Sequence, residues 1–317
     1  MSRPAGVLAL LGPTATGKSA LAVTVAERLN GEVLSADAFA VYRGFDAGTA
    51  KPTPEERARV PHHLVDVREP SEPWSAGDFA AEARRLAREI LGRGRLPILC
   101  GGTGFYARAF FEGLFEGPRR DDALRSALGR LAARRGARHL RRVLGLLDPA
   151  AAERVLPNDA ARAIRLLEIA LMTGRKPTEL FAERPGERWD RPSVRILLTL
   201  PRPELYGRIE RRFRDSIAPR LPSEVRGLLA AGVPVDAPAF TAIGYRETAD
   251  FVSGRIGEAA WREGILRETR RFAKRQETWF RRDAGLVPLE AGRQDLPDLV
   301  VALARPLFSL PDKGGPG

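Results

Sequence analysis

Residues 8–23 read LALLGPTATGKSALAV, and no other stretch restricts the fold of this chain as strongly. The apolar run Val7 to Leu11 ends in Gly12. Gly17, Lys18 and Ser19 then close a G-x-x-x-x-G-K-S frame, and helix-forming sequence follows. Such a frame is a phosphate-binding loop joining a buried strand to a helix. Its successive backbone N–H groups turn inward and make an anion nest at the helix N-terminus. Lys18 adds a point charge, and the Ser19 hydroxyl is suited to Mg²⁺. The ligand class this implies is a phosphate or a diphosphate held by Gly12, Pro13, Thr14, Ala15, Thr16, Gly17, Lys18 and Ser19.

The rest of the chain can be placed around that loop. A helix is expected from Lys18 to Asn30 with Gly31 as its stop. "EVLSAD" reads as a second strand ending at Asp37, and "LPILCGG" as a third ending at Gly101 and Gly102. Strands alternating with helices predict an α/β fold, a P-loop NTPase-like parallel sheet core flanked by helices. In such sheets ligands bind beyond the carboxyl ends of the strands, where the loop, Asp37 and Thr103 would converge. From Pro118 to Pro192 the texture becomes Arg- and Ala-rich and helical, read as an insertion domain at 118–192 within a core of 1–117 and 193–305. Within it "NDAARAIRLLEIALMTG" places Asn158 or Asp159 as N-cap, Gly174 as C-terminal stop, and Ile164, Leu167 and Leu171 on an apolar stripe. "VRILLTL" at 194–200 returns the chain to the sheet, and a long helix spans roughly 258–282. The tail 306–317 is expected to be disordered.

Composition narrows the function. The apolar run before the loop is too short to cross a membrane, and neither a signal peptide nor a transmembrane helix is expected. With one cysteine and three histidines, intramolecular disulfides are excluded and a Cys/His zinc site is disfavoured, which points to the cytoplasm. The net charge is +12, with 52 Lys and Arg of which only five are Lys. Codon bias can trade Lys for Arg but does not create the excess over acids, so a polyanionic partner is implied, nucleic acid foremost. Residues 119–175 alone carry thirteen Arg against six acids.

Few other groups carry chemistry. Asp37 is a candidate Mg²⁺ ligand or general base, or else a helix cap or salt-bridged acid, and Asp66 in "HHLVD" is the weaker alternative. Thr103 has a hydroxyl near the same crest. Cys100 reads as a buried small hydrophobe, and His62 and His63 as loop or structural residues.

Seven stretches add a resemblance. "GPTATGKS", "SADAFAVYRGFDAGTAKP", "HHLVDVREPSEPWSAGDF", "GGTGFYARAF", "PNDAARAIRLLEIALMTGRKPTEL", "AIGYRE" and "TRRFAKRQETWFRRD" occur in this order over residues 12–283. Together they resemble the motifs of the bacterial tRNA dimethylallyltransferases, also called tRNA isopentenyltransferases. The resemblance implies transfer of a dimethylallyl group from dimethylallyl diphosphate to N6 of the adenosine 3′ of the anticodon, with Mg²⁺ as cofactor. It implies Asp37, Thr103 and Lys18 as catalytic residues, and Arg208 and Arg212 beside the diphosphate. For the tRNA anticodon stem-loop it implies Asp37, Ala38, Phe39 and Ala40, Thr103, Arg125, and Ala160, Ala161, Arg162, Ala163 and Ile164. It also implies Ile243, Gly244, Tyr245 and Arg246, and Lys274, Arg275, Gln276, Trp279 and Arg281. A cytoplasmic monomer is expected. The chain departs from the family pattern D-S-x-Q-x-Y in having "DAFAVY", with Ala38 and Ala40. Three other readings compete: a prenyltransferase acting on free adenine nucleotides, a nucleotide or shikimate-type kinase, and an RNA-binding NTPase module without transferase activity.

Overall fold

The computed structural model describes residues 3–49, 51–115, 117–183 and 186–308. The chain forms two units, one of residues up to Phe111 and from Trp189 onward, the other of Glu112–Arg188. The inserted unit thus begins and ends a few residues before the expected 118 and 192. The reason lies at Trp189, whose N–H donates to Phe111 O (3.0 Å) and whose indole stacks on Phe110. The chain has rejoined the first unit before the change in texture at Pro192.

The first unit starts with β1 (Val7–Leu11), α1 (Lys18–Leu29), β2 (Gly31–Ser35), α2 (Pro54–Arg59), β3 (His62–His63), α3 (Ala76–Gly92), β4 (Leu96–Gly101) and α4 (Gly104–Glu112). The second holds α5 (Asp122–Arg135), α6 (Ala137–Leu147), α7 (Pro149–Glu153), α8 (Ala160–Thr173) and α9 (Pro177–Glu183). The first resumes with β5 (Ser193–Thr199), α10 (Arg202–Arg212), α11 (Leu221–Ala230), α12 (Tyr245–Val252), α13 (Glu258–Phe280), β6 (Val287–Glu290) and α14 (Leu296–Ala304).

The six strands among the described residues are all parallel, in the order β3-β2-β4-β1-β5-β6. Every residue of β1 is buried, as a central parallel strand covered on both faces requires. Leu8 and Leu10 pack with Leu21 and Val25 of α1 and Val300 of α14; each is worth roughly 2 kcal/mol of burial. α1 stops one residue earlier than expected, because Asn30 takes the left-handed conformation (φ 51°) and its N–H closes on Ala26 O. Gly31 instead opens β2. The histidines, expected as loop or structural residues, are structural: they form the short edge strand β3, with His63 Nε2 2.7 Å from Glu32 Oε2. The other edge strand, β6, was not expected at all.

A separate core holds the segment after β2. Tyr42 and Phe45 pack against Phe213, Phe240, Tyr245 and Trp261, so the loop following Asp37 is anchored by α11 to α13. The helical unit has its own core of Leu128, Leu140, Leu144, Leu166 and Leu167. Asp159 caps α8 by accepting from Arg162 N (3.0 Å), and Gly174 ends it in the left-handed region. Leu171, expected on the buried stripe, is 54% exposed, since the buried arc runs through Ala163, Leu166, Leu167 and Ala170. The tail expectation fails at its start: Leu307 is buried, and its carbonyl accepts from Ala5 N (2.7 Å). Residues 309–317 lie outside the described residues. Among the described residues no helix is long and apolar enough to cross a membrane.

Candidate active site

The phosphate loop links β1 to α1 at the carboxyl edge of the sheet. Gly17 precedes the helix at φ 88°, a conformation that side chains disfavour, and Ala15 also sits at positive φ (66°). The loop is braced from within: Thr16 Oγ1 donates to Pro13 O (2.9 Å), and so does Lys18 Nζ (3.1 Å). Ser19 is exposed in the first turn of α1.

Two arginines of α10 reach this loop. Arg212 Nη1 donates to Thr14 Oγ1 (2.8 Å). Arg208, paired with Glu204 (2.8 Å), leans over Gly17, its Nη1 4.0 Å from where a Cβ would stand. Burial holds the Lys18 ammonium below its usual value, with Arg212 adding to the effect and Asp37 opposing it. Burial likewise lowers Arg212, against the attraction of Asp37. Two desolvated cations facing one carboxylate leave the site short of negative charge, and an entering anion would relieve both. The Cys100 thiol is pushed up to about 11 by burial, so it is an inert hydrophobe as expected.

Asp37 follows β2 rather than ending it. Its Oδ1 accepts from Phe39 N (2.8 Å) and Ala40 N (3.2 Å), fixing the turn, while Oδ2 has no hydrogen bond among the described residues. Asp66, the alternative carboxylate, is occupied. It binds Lys51 Nζ (2.6 Å) and Arg57 Nη1 (2.7 Å). Thr103 stands at the head of α4, its N–H directed to Ala36 O (3.4 Å), and Ala36 N donates to Cys100 O (2.8 Å). These bonds join the Asp37 turn to the crest of β4. A cavity of about 420 Å³ borders the loop at Pro13 from the β5 side, lined by Leu197, Leu200 and Phe280, and holds none of Lys18, Asp37 or Thr103.

The residues expected to meet RNA divide by exposure. Lys274, Arg275, Trp279 and Arg281 of the α13 region are exposed, as is Arg246 at the start of α12. Neither Lys274 nor Arg275 forms an ion pair among the described residues. The Trp279 indole fills the space a Cβ on Gly104 would take and meets Phe105 edge-on (6.1 Å), both rings being partly exposed. In the helical unit Ala161 and Arg162 are exposed, Ala160 and Ile164 half-buried. Arg125 is half-buried and clamps Glu168, with Nε and Nη2 each 2.9 Å from its carboxylate oxygens.

Four side chains expected at RNA lie in the interior instead. Tyr245 is fully buried, its hydroxyl donating to Glu224 Oε1 (2.6 Å) and accepting from Gly48 N (3.2 Å). Ala163 and Ala40 are core residues, and Gln276 is 5% exposed with both ends of its carboxamide bonded inside the protein. Gly244 is buried too, while Ile243, Phe39 and Ala38 are half-buried. Sequence reasoning missed the buried role of Gln276, although its spacing from Ala273 and Phe280 on one helix face was a readable signal.

Comparison with known proteins identifies the family. The IPP transferase profile matches residues 40–283. The chain is 44% identical over 280 residues to tRNA dimethylallyltransferase 1 of Trichlorobacter lovleyi, spanning 88% of this chain and 92% of the relative. It is 47% identical over 283 residues to the tRNA dimethylallyltransferase of Anaeromyxobacter dehalogenans, spanning 88% and 91%. Among solved structures, the tRNA isopentenylpyrophosphate transferase of Bacillus halodurans is 37% identical with a TM-score of 0.68, covering 95% of this chain and 97% of that one. A eukaryotic dimethylallyltransferase acting on tRNA gives a TM-score of 0.77 at 25% identity, over 94% and 78%. With a profile match over most of its length and relatives of this identity over 88% of it, the chain belongs to the IPP transferase family.

Proposed function

We propose that this protein is a tRNA dimethylallyltransferase, moving a dimethylallyl group from dimethylallyl diphosphate to N6 of the adenosine 3′ of the anticodon. The observation that carries the reading is the pairing at one sheet edge of an anion site, made by the loop with Lys18 and Arg212, and a carboxylate with one free oxygen, Asp37 Oδ2. Asp66, the alternative carboxylate, is tied to Lys51 and Arg57 and so is not free to take a proton from a substrate.

The chemistry divides among the residues. Loop amides, Lys18 and Arg212 hold the diphosphate and stabilise the charge it gains as the allylic C–O bond breaks. The adenine amine attacks the allylic carbon, and Asp37 accepts the proton it sheds. Thr103, tied to the same turn, orients the base. The donor set fits Mg²⁺ carried with the diphosphate, because Ser19 offers one hydroxyl and Mg²⁺ takes its remaining ligands from phosphates and water. When bound there, Mg²⁺ neutralises leaving-group charge. The base must leave the loop stack to reach the site. Exposed Lys274, Arg275 and Trp279, and the arginines of the helical unit, are then the RNA-facing groups, in a cytoplasmic monomer.

Incubation with dimethylallyl diphosphate and unmodified tRNA, followed by nucleoside mass spectrometry, tests this. N6-(dimethylallyl)adenosine beside the anticodon is expected. Prenylation of AMP with tRNA left unmodified, or ATP hydrolysis alone, would overturn it.

A further inference from the structure

Gln276 sits four residues before the end of α13, two residues after the exposed Lys274, yet its side chain points into the protein and is 5% exposed. Oε1 accepts from the N–H of Thr14 in the phosphate loop at 2.9 Å, and Nε2 donates to Gly102 O on the crest of β4 at 2.8 Å. The chemistry of the partners leaves no ambiguity about which end is which. A backbone N–H can only donate and a carbonyl can only accept, so only a carboxamide in this orientation serves both. Gly102 is shaped for the same link, since a Cβ there would stand 2.2 Å from Gln276 Nε2. The next residue is Thr103, whose N–H meets the Ala36 carbonyl beside Asp37.

We infer that Gln276 is a positioning residue: through one side chain it sets the diphosphate loop against the crest that carries Thr103 and abuts Asp37. The inference rests on the reaction proposed above and adds a residue that touches neither reactant. It follows that the exposed cations beside it and the reacting centre are held by one helix. A shift of α13 would move the loop and the crest apart, whereas loss of Gln276 uncouples them without touching the surface that faces RNA. Binding energy fixed in geometry of this kind acts on the chemical step.

Gln276→Met keeps the length and apolar bulk but removes both hydrogen bonds. We expect kcat/KM for dimethylallyl diphosphate at saturating tRNA to fall about 10- to 100-fold, with the tRNA Kd within about twofold of wild type. Gln276→Glu separates positioning from bulk. Ionised, the carboxylate accepts from Thr14 but repels the Gly102 carbonyl; protonated, it donates to that carbonyl and restores both bonds. Its activity relative to wild type should therefore recover as the pH is lowered from about 8 to about 6, because burial and the facing carbonyl favour the protonated form. A merely structural role would change activity only in proportion to the folded fraction, which thermal denaturation at each pH reads separately. Wild-type kcat/KM in Gln276→Met, a pH-independent ratio for Gln276→Glu, or lost tRNA affinity with diphosphate use intact would each overturn the inference. Should Gln276→Met fail to fold, the Gln276→Glu profile decides. If wild type itself transfers no prenyl group, the proposed function fails separately. The link is then read from Mg²⁺–pyrophosphate affinity, which Gln276→Met should weaken and which an unchanged value would refute.

Discussion

Asp37→Asn isolates the proposed proton acceptor because the two carboxylate oxygens differ in their bonding. Oδ1 holds the turn through Phe39 N and Ala40 N, while Oδ2 makes no hydrogen bond among the described residues. An asparagine can put its carbonyl oxygen in the Oδ1 position and its NH₂ in the other. Both turn bonds then survive, and the stability cost should stay below about 1 kcal/mol. The chemistry should suffer far more, since a general base commonly contributes 10²–10⁴ in rate, or about 3–5 kcal/mol at 1.36 kcal/mol per decade. Diphosphate binding should move the other way or not at all. Asp37 is the anion that compensates Lys18 and Arg212, so its removal leaves those cations more in need of a ligand. The assay is single-turnover prenyl transfer with tRNA in excess, alongside calorimetric titration of Mg²⁺–pyrophosphate and thermal denaturation. A rate within about threefold of wild type would refute the role of Asp37 as base. A large loss rescued by raising Mg²⁺ would assign Asp37 to the metal instead.

Lys18→Ala and Ser19→Ala should raise KM for dimethylallyl diphosphate and leave tRNA Kd unchanged; normal diphosphate binding with lost tRNA would put the loop at the wrong ligand. Replacing Lys274 and Arg275 together with Ala should weaken tRNA binding and flatten the log Kd against log salt slope by roughly one unit, with diphosphate binding intact; an unchanged slope would show that these cations do not meet phosphate. Glu168 offers a pH test of the helical unit. Burial alone would raise its carboxyl, but Arg125, Arg165 and the Asp121 amide outweigh this and hold it at about 2. A depressed folded value stabilises above the ordinary 4.5 and is lost as pH falls from there toward 2, an amount of about 3 kcal/mol. Amide protection factors in α5 and α8, taken relative to intrinsic exchange at each pH, should fall over that range in wild type, and Glu168→Gln should remove the dependence; identical acid profiles would refute the assignment.

What could be read in advance was whatever local chemistry dictates. The strand–loop–helix at 7–29 was legible because the G-x-x-x-x-G-K-S frame needs a left-handed Gly17 and a helix start at Lys18, and nothing distant alters that. The Gly174 stop was legible for the same reason, and the cap to within Asn158 or Asp159, of which the structure uses Asp159. β3 and β6 were not. Two residues cannot show a period, and Val287–Glu290 contains Pro288 and is mostly exposed, so these segments are strands only because β2 and β5 offer them hydrogen bonds. The unit boundary was misplaced because a proline marks a change of texture, while the unit closes where Trp189 finds Phe110.

The polar residues of α13 carry the last step. A motif shared with RNA-binding relatives invites the reading that each of its polar side chains meets RNA, but a helix has only one face for each partner. Trp261, Ile265, Ala273 and Phe280 are buried, and Gln276 falls on their stripe, three residues after Ala273 and four before Phe280. Lys274 and Arg275 fall off it and are exposed. A carboxamide at a core position is tolerated only if both its ends are satisfied internally, since each unmet group costs about 1–3 kcal/mol. Its partners must then be backbone groups that the fold wants held together, here Thr14 and Gly102. Helical phase, rather than residue type, therefore separates the exposed cations of α13 from the side chain that ties the phosphate loop to the β4 crest.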